Sequence, residues 1–145
     1  MYKIGVVLMT YERNLDLIEC IKSICDTNLK NINLKLFIFD NCTSDNPKDL
    51  IKNTIYGRIK YEIIRHKKNI GLIRNFWFAS KYLSNLDFDF ITYISDDDKI
   101  YNGYFQSIIN FNSTGNKVIL SSCEILSDKS NKISKRLLPT RKDFK

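Results

Sequence analysis

The segment FITYISDDD, residues 90–98, joins an unbroken apolar run to three consecutive aspartates. Its first part predicts a buried strand, because apolar and β-branched residues follow one another. The carboxylates of Asp96, Asp97 and Asp98 repel one another, so they are tolerated best where a divalent cation such as Mg²⁺ or Mn²⁺ lies among them. Since ligands bind at the carboxyl ends of strands in open α/β sheets, the segment indicates a metal and phosphate site. The alternative is a solvated acidic turn that leads into the next helix.

The rest of the chain alternates between apolar runs and helical patterns. Continuous apolar runs predict strands at residues 2–9, 34–39, 61–64, 90–94 and 117–122. Apolar residues spaced three and four apart predict four helices. The first is capped by Asn14, the second begins at Pro47 with Leu50 on its inner face, the third includes Phe76 and the fourth begins at Tyr101. Strands that alternate with helices predict an α/β fold with a mainly parallel sheet and helices on both faces.

Polar residues follow three of the predicted strands. Residues 10–12 (Thr-Tyr-Glu) follow the first strand, residues 40–41 (Asp-Asn) follow the second, and the three aspartates follow the fourth. Because the carboxyl ends of parallel strands lie at one edge of a sheet, we expect these groups to face a shared crevice. A carboxylate or an amide can pair with a base or a ribose, and further acids can hold a cation that bridges two phosphates. The sequence therefore predicts a nucleotide site.

The positive charge of the chain is concentrated at its end. The chain has 145 residues and a formal net charge of +7, of which positions 129–145 carry +6 and the remaining residues +1. This distribution argues against a nucleic-acid partner. The tail is a solvated end, a peripheral contact for anionic lipid or a link to a further segment.

The apolar runs also bear on location. They are far shorter than the roughly 20 residues of a membrane-spanning helix, and no signal peptide opens the chain. We therefore expect a cytoplasmic protein, which the basic tail could bring to the inner face of the membrane.

The cysteines and the single histidine do not indicate a zinc site. Cys20, Cys25, Cys42 and Cys123 show no C-x-x-C spacing, and His66 is the only histidine. We expect all four thiols to be reduced and the histidine to lie on the surface.

Four ordered segments carry a family resemblance. They are IGVVLMTYERN, LFIFDNCTSDN, HKKNIGLIRNF and FITYISDDDKI, which begin at residues 4, 36, 66 and 90. In order and spacing they resemble the family 2 glycosyltransferases, whose fold, called GT-A, is a Rossmann-like nucleotide-diphospho-sugar transferase fold. The resemblance implies a nucleotide-sugar-binding domain over 1–126, followed by a basic tail or the start of a missing acceptor half over 127–145. It also implies that the fold is incomplete at its C-terminus.

The resemblance assigns roles in nucleoside binding. Thr10, Tyr11 and Glu12 match the segment that lines the nucleobase, where a tyrosine commonly stacks on the ring. Asp40 matches the acid after the second strand. Its neighbour, often a second acid that reads the base, is here Asn41, which keeps hydrogen bonding but weakens any anionic contact to the base.

The resemblance also assigns a loop and the start of the third helix. Asn69, Gly71 and Arg74 match the residues beneath the diphosphate and the base, with Arg74 as the cation. The donor is expected to be a nucleotide-diphosphate sugar, and UDP is favoured by analogy alone.

The aspartates depart from the usual family motif, Asp-x-Asp-Asp. Alignment puts Ser95 where the first acid often stands, as either a plain strand-end residue or a functional one. Asp96 then reaches the ribose, Asp97 ligates the metal, Mn²⁺ or Mg²⁺, and Asp98 is a further metal contact or supports the ligands.

The resemblance implies transfer of the sugar with inversion to a saccharide or lipid-linked acceptor. The cation stabilises the charge that develops on the departing diphosphate. A general base, usually a carboxylate, activates the acceptor hydroxyl, and we expect that base to be absent from this chain because the acceptor half follows the metal motif in the family. The richness in Asn, Ile and Lys hints at a bacterial role in surface polysaccharide synthesis.

Two other functions stay open at the level of sequence. One is a truncated, non-catalytic domain that binds nucleotide sugar and metal but transfers nothing. The other is a metal-dependent phosphotransferase on a parallel sheet. It is disfavoured because residues 9–12 occupy the position where such enzymes usually place an acid or a glycine-rich loop.

Overall fold

The computed structural model describes residues 1–112, 123–126 and 133–136, with side chains described for 1–110. The elements are β1 (Tyr2–Thr10), α1 (Asn14–Cys25), β2 (Ile32–Asp40), α2 (Lys48–Ile55), β3 (Lys60–Arg65), α3 (Leu72–Leu83), β4 (Phe90–Ser95), α4 (Tyr104–Asn112), β5 (Cys123–Leu126) and β6 (Ile133–Arg136). The chain forms two compact units, Met1–Ile109 and Asn110–Lys145.

The first unit contains a four-stranded sheet in the order β3-β2-β1-β4. All three strand pairs are parallel, which confirms the predicted parallel sheet. The connections from β1 to β3 run one way along the sheet and the connection to β4 runs the other way. Right-handed crossovers therefore place α1 and α2 on one face and α3 on the opposite face, as predicted.

A core of aromatic and aliphatic side chains lies between the sheet and α3. Its buried members are Val7, Phe37, Phe39, Ala79 and Leu83, with Met9, Ile64, Tyr82 and Phe88 packed against them. The rings of Phe37 and Phe88 meet edge to face with 5.6 Å between centroids, a favoured geometry for aromatic pairs. This packing holds α3 close to β1 and so positions the start of α3 at the carboxyl edge of the sheet.

Gly5 allows this close approach. A Cβ atom at this position in β1 would lie 3.4 Å from side-chain carbons of Leu83 and Phe88. One methyl group fits at ordinary contact distance, but a branched side chain does not.

We predict that Gly5→Val lowers the free energy of unfolding by about 1–3 kcal/mol, because overpacking forces α3 or Phe88 away from the sheet. Gly5→Ala is the matched control and should change it by less than about 1 kcal/mol. Urea unfolding measures both variants. Equal stability of the valine variant and the wild type would contradict the close packing.

Three local predictions were wrong. Asn14 is the first residue of α1 rather than its cap, and its side-chain amide donates to the carbonyl of Asp45 at 2.8 Å. Leu50 is 45% exposed, because the buried face of α2 is formed by Ile51 and Ile55. The fourth helix begins at Tyr104, three residues later than predicted.

The second unit contains an antiparallel pair of strands, β5 and β6. The strand predicted at 117–122 lies outside the described residues, as does most of the basic tail. Within the part of the chain that the structure describes, no helix is long and apolar enough to cross a membrane.

Candidate functional site

The ends of β1, β2 and β4 meet at one edge of the sheet. Thr10 lies opposite Asp40 on β2, and Met9 lies opposite Ser95 on β4. A crevice of about 520 Å³ opens there, which is within the usual range for small-molecule sites. Strands β2 and β3 are added on one side of β1, and β4 is added on its other side. The crevice therefore lies at the topological switch point, where α/β folds bind ligands.

Six of the residues predicted for the site line this crevice: Thr10, Tyr11, Asn41, Asn69, Gly71 and Asp96. Five others lie outside its lining: Glu12, Asp40, Arg74, Asp97 and Asp98. The crevice is also lined by Ser95 and by three residues for which no role was predicted, Arg13, Asn75 and Tyr93. The predicted convergence of the three strand ends is therefore present.

Two of the aspartates share one arginine. The Nη1 atom of Arg13 donates to Asp97 Oδ2 at 2.8 Å and to Asp96 Oδ1 at 3.3 Å. The hydroxyl of Ser95 donates to the other oxygen of Asp97. Asp96 is buried, whereas the side chains of Arg13 and Asp97 are about half exposed. The negative charge predicted at the end of β4 is thus partly balanced from within the chain.

Burial and hydrogen bonding separate the pKa values of these two acids. Burial raises the pKa of Asp96, although Thr10 and Arg13 oppose the shift. The hydrogen bond from Ser95, assisted by Arg13, lowers the pKa of Asp97. Asp97 is therefore ionised at neutral pH, which suits a metal ligand.

The donor set fits a cation that is shared with a phosphate. Within residues 1–110, no group of three or more His, Cys, Asp or Glu side chains is placed to hold a metal by itself. Mg²⁺ in nucleotide sites is usually held by one or two carboxylates together with phosphate and water. Asp97 and Asp98 are adjacent exposed carboxylates, so they are the residues that would hold such a cation.

Thr10 adds an unpartnered polar atom. It is only 2% exposed and lines the crevice. Its hydroxyl is close enough to Asp96 to favour the charged form of that acid, but the two groups do not form a hydrogen bond of good geometry. Because buried polar atoms are usually paired, this hydroxyl is a candidate contact for a bound ligand.

Asp40 organises the loop after β2. Its side chain is fully buried, where it forms an ion pair with Arg65 and accepts the backbone N–H of Thr43 at 2.8 Å. Arg65 also donates to the carbonyl of Thr43. A contact between Asp40 and a base stays a prediction.

Asn41 and Asn69 join this loop to the start of α3. The Asn41 amide donates to Asn69 Oδ1 at 2.8 Å, and Asn41 Oδ1 accepts the N–H of Ile70 at 2.9 Å. Asn69 Oδ1 also accepts the N–H of Gly71 at 2.8 Å. Gly71 has a φ of +83°, which glycine adopts without strain, and precedes α3. These bonds aim the positive end of the α3 dipole at the crevice rim.

Glu12 joins the loops after β1 and β2. Its carboxylate accepts the N–H and the hydroxyl of Ser44, each at 2.8 Å, and its own N–H donates to Thr43 Oγ1 at 3.1 Å. The residue has a φ of +56°, in the left-handed region. In this structure Glu12 therefore holds the two loops together.

His66, predicted to lie on the surface, is half buried. Its ring packs edge to face on Phe78 at 4.8 Å between centroids, and Nε2 lies 2.9 Å from Asn75 Oδ1. The buried Asn75 also donates to the carbonyl of Phe39 at 3.2 Å. Asn75 thus fixes α3 to the end of β2, and Arg74 beside it is exposed.

Residues 5–144 match the family model described as glycosyl transferase family 2. The chain belongs to glycosyl transferase family 2. Among curated proteins, this family 2 chain is similar to the GalNAc(5)-diNAcBac-PP-undecaprenol beta-1,3-glucosyltransferase of Campylobacter jejuni, with 27% identity over 137 residues. The match covers 93% of this chain and 42% of the relative, so the chain spans less than half of that protein's length.

Solved structures confirm the GT-A fold of this family 2 chain. The S. aureus TarS 1–349 structure matches with a TM-score of 0.64 and 16% identity, over 77% of this chain and 32% of TarS 1–349. The mannosyltransferase PcManGT from Pyrobaculum calidifontis, solved with GDP-Man and Mn²⁺, matches with a TM-score of 0.55 and 11% identity, over 66% of this chain and 28% of that protein. At these identities the matches establish the fold alone.

We predict that Asp40→Ala lowers the free energy of unfolding of this family 2 chain by about 2–4 kcal/mol, because it leaves Arg65 and the Thr43 N–H without their buried partner. Asp26→Ala removes an exposed pair with Arg58 and should cost less than about 1 kcal/mol. Chemical unfolding of both variants provides the comparison. A loss at Asp40 no larger than that at Asp26 would show that the buried pair does not hold the loop.

Proposed function

We propose that this chain binds a nucleotide-diphosphate sugar in the crevice and forms the donor-binding part of a sugar-transferring enzyme. The observation that carries the proposal is that Asp96 lines one crevice together with the ends of β1 and β2 in a family 2 chain. Asp97 lies next to this lining, where it is bonded to Arg13 and Ser95. Acids at this edge favour a ligand with a diphosphate over a neutral ligand, because a cation can bridge the carboxylate oxygens and the diphosphate oxygens.

In the proposed complex the nucleoside lies against the loops after β1 and β2. Tyr11 is 44% exposed at the crevice, so its ring is available to stack on a base. The Thr10 hydroxyl and Asn41 are near it, and Asp96 is the group proposed to reach the ribose. UDP is the favoured nucleotide, since TarS structures are described in complex with UDP and with UDP-GlcNAc.

The diphosphate is proposed to lie between the aspartates and the start of α3. Asp97 and Asp98 would hold Mn²⁺ or Mg²⁺, and Asn69, Gly71 and Arg74 belong to the loop and helix start on the opposite side. A bound cation would act as a Lewis acid on the leaving diphosphate. The chain's own contribution is to keep Asp97 ionised, through the hydrogen bond from Ser95 that lowers its pKa, and to present the positive end of α3.

The acceptor is proposed to be a saccharide or a lipid-linked saccharide, and the transfer to proceed with inversion. The C. jejuni relative is named for transfer involving GalNAc(5)-diNAcBac-PP-undecaprenol, which supports a lipid-linked acceptor and a role in bacterial surface polysaccharide synthesis. Inversion requires a base opposite the leaving group. Among the side chains described here, we assign that role to none.

We predict that UDP with Mn²⁺ raises the melting temperature of the chain, by about 5 °C or more at a hundredfold excess over the dissociation constant. Asp97→Ala should abolish the Mn²⁺-dependent part of the rise, because it removes the ionised ligand. Asp26→Ala, at the end of α1, is the control and should leave the rise unchanged. An undiminished rise with Asp97→Ala would refute the metal assignment.

A second assay separates an enzyme from a domain that only binds the donor. Release of UDP from UDP-sugars by the chain, with and without saccharide acceptors, would show transfer or hydrolysis. Binding without release would favour the non-catalytic alternative, and phosphate release from simple phosphoesters would favour a phosphotransferase.

We also propose that the basic tail, residues 129–145, contacts anionic lipid. Its charge of +6 is sufficient for electrostatic attraction to a membrane surface. We predict that deletion of 129–145 greatly weakens binding of the chain to vesicles that contain anionic lipid, measured by cosedimentation at low salt. Unchanged binding by the shortened chain would exclude this role.

A further inference from the structure

Arg13 holds a position that the sequence motifs do not explain. It lies between β1 and α1, and its guanidinium reaches the acids at the end of β4, more than 80 residues away in the chain. We infer that Arg13 is the built-in counter-ion of the donor site and that a divalent cation binds Asp97 only by displacing it. This inference rests on the proposed function, because it concerns the metal of the same site.

The backbone before Arg13 fixes the direction of its side chain. Glu12 is held in the left-handed region, and its bonds to Ser44 and Thr43 anchor it to the neighbouring loop. Arg13 follows directly and precedes the first turn of α1. The arginine therefore starts from a backbone that two loops hold in place, rather than from a loose surface segment.

Arginine and a metal would compete for the same oxygen atom. Asp97 Oδ2 accepts from Arg13 at 2.8 Å, and Asp97 Oδ1 accepts from Ser95. A hard cation binds the lone pairs that these donors occupy. The guanidinium would also repel a divalent cation placed on Asp97, since both are positive.

The pair is exposed enough to open. The side chains of Arg13 and Asp97 are 51% and 49% exposed, and ion pairs with such access to water contribute little to folding. Loss of the Arg13–Asp97 pair therefore costs little by itself. Arg13 also partly balances the charge of the buried Asp96. The arginine therefore stabilises the site most when no metal is bound.

The test titrates Mn²⁺ into the full chain and follows bound metal by electron paramagnetic resonance. Arg13→Ala and Arg13→Gln should bind Mn²⁺ about three- to tenfold more tightly than the wild type, because the competing charge is gone. Arg58→Ala is the matched control: it removes an arginine that is similarly exposed and paired with Asp26, so it changes the net charge equally and should leave Mn²⁺ affinity unchanged.

The possible results distinguish a failure of this inference from a failure of the proposed function. Arg13 variants that bind Mn²⁺ no more tightly than the wild type, while the wild type binds UDP and Mn²⁺ together, overturn the inference alone. A wild type that binds neither UDP nor Mn²⁺ overturns the proposed function and the inference together. Circular dichroism checks that the variants are folded, and the glutamine variant keeps a polar side chain with an N–H donor, without the charge, if alanine disturbs α1.

Discussion

The site depends on the parallel register of β1 with the strands on both sides of it. Thr10 lies level with Asp40, and Met9 lies level with Ser95, so three strands end at the same height. A one-residue shift in either pairing would turn every side chain of a strand to the opposite face. In β1 it would move Gly5 away from Leu83 and Phe88 and put a larger residue against them, which the close packing there opposes. The hydrophobic core thus fixes the position of the polar residues that follow each strand.

Two kinds of polar contact then divide the site. Around β2 and β3 the contacts are centred on two buried residues: Asp40 pairs with Arg65, and Asn41 pairs with Asn69. Such contacts give a loop one conformation, since breaking them leaves buried polar groups unpaired. At the end of β4 the pair between Arg13 and Asp97 is exposed, and water and ions can replace either partner. The fixed loops after β2 and β3 are suited to binding a nucleoside through shape. The acids after β4, whose partners can be replaced, are suited to binding a diphosphate through charge.

Much of the fold and part of the site could be predicted from the sequence. The buried strands could be recognised because parallel strands covered on both faces appear as continuous apolar runs. The shared edge followed from the order of strands and helices. The errors at Leu50 and Asn14 are local. Leu50 is an apolar residue next to the buried Ile51, so the pattern fits either an inward or an outward position. Asn14 is a polar residue at a helix start, so the pattern fits either the cap or the first helical residue.

The contacts that join distant segments could not be predicted. Nothing near Arg13 in the sequence indicates that it reaches Asp97, since the contact exists only because β1 and β4 are neighbours. His66, with lysines on one side and arginine on the other, has the sequence setting of a surface residue, yet the packing of α3 places it on Phe78. Tertiary packing, rather than local pattern, decides such positions.

The central claim is that the acids after β4 hold a divalent cation beside a diphosphate. The most direct test is an anomalous difference map from crystals of the chain grown with UDP and Mn²⁺. The account predicts a manganese peak within about 2.0–2.3 Å of an Asp97 carboxylate oxygen, with diphosphate oxygens in its coordination sphere. UDP bound in the crevice without a manganese peak at Asp97, or manganese bound elsewhere, would contradict it.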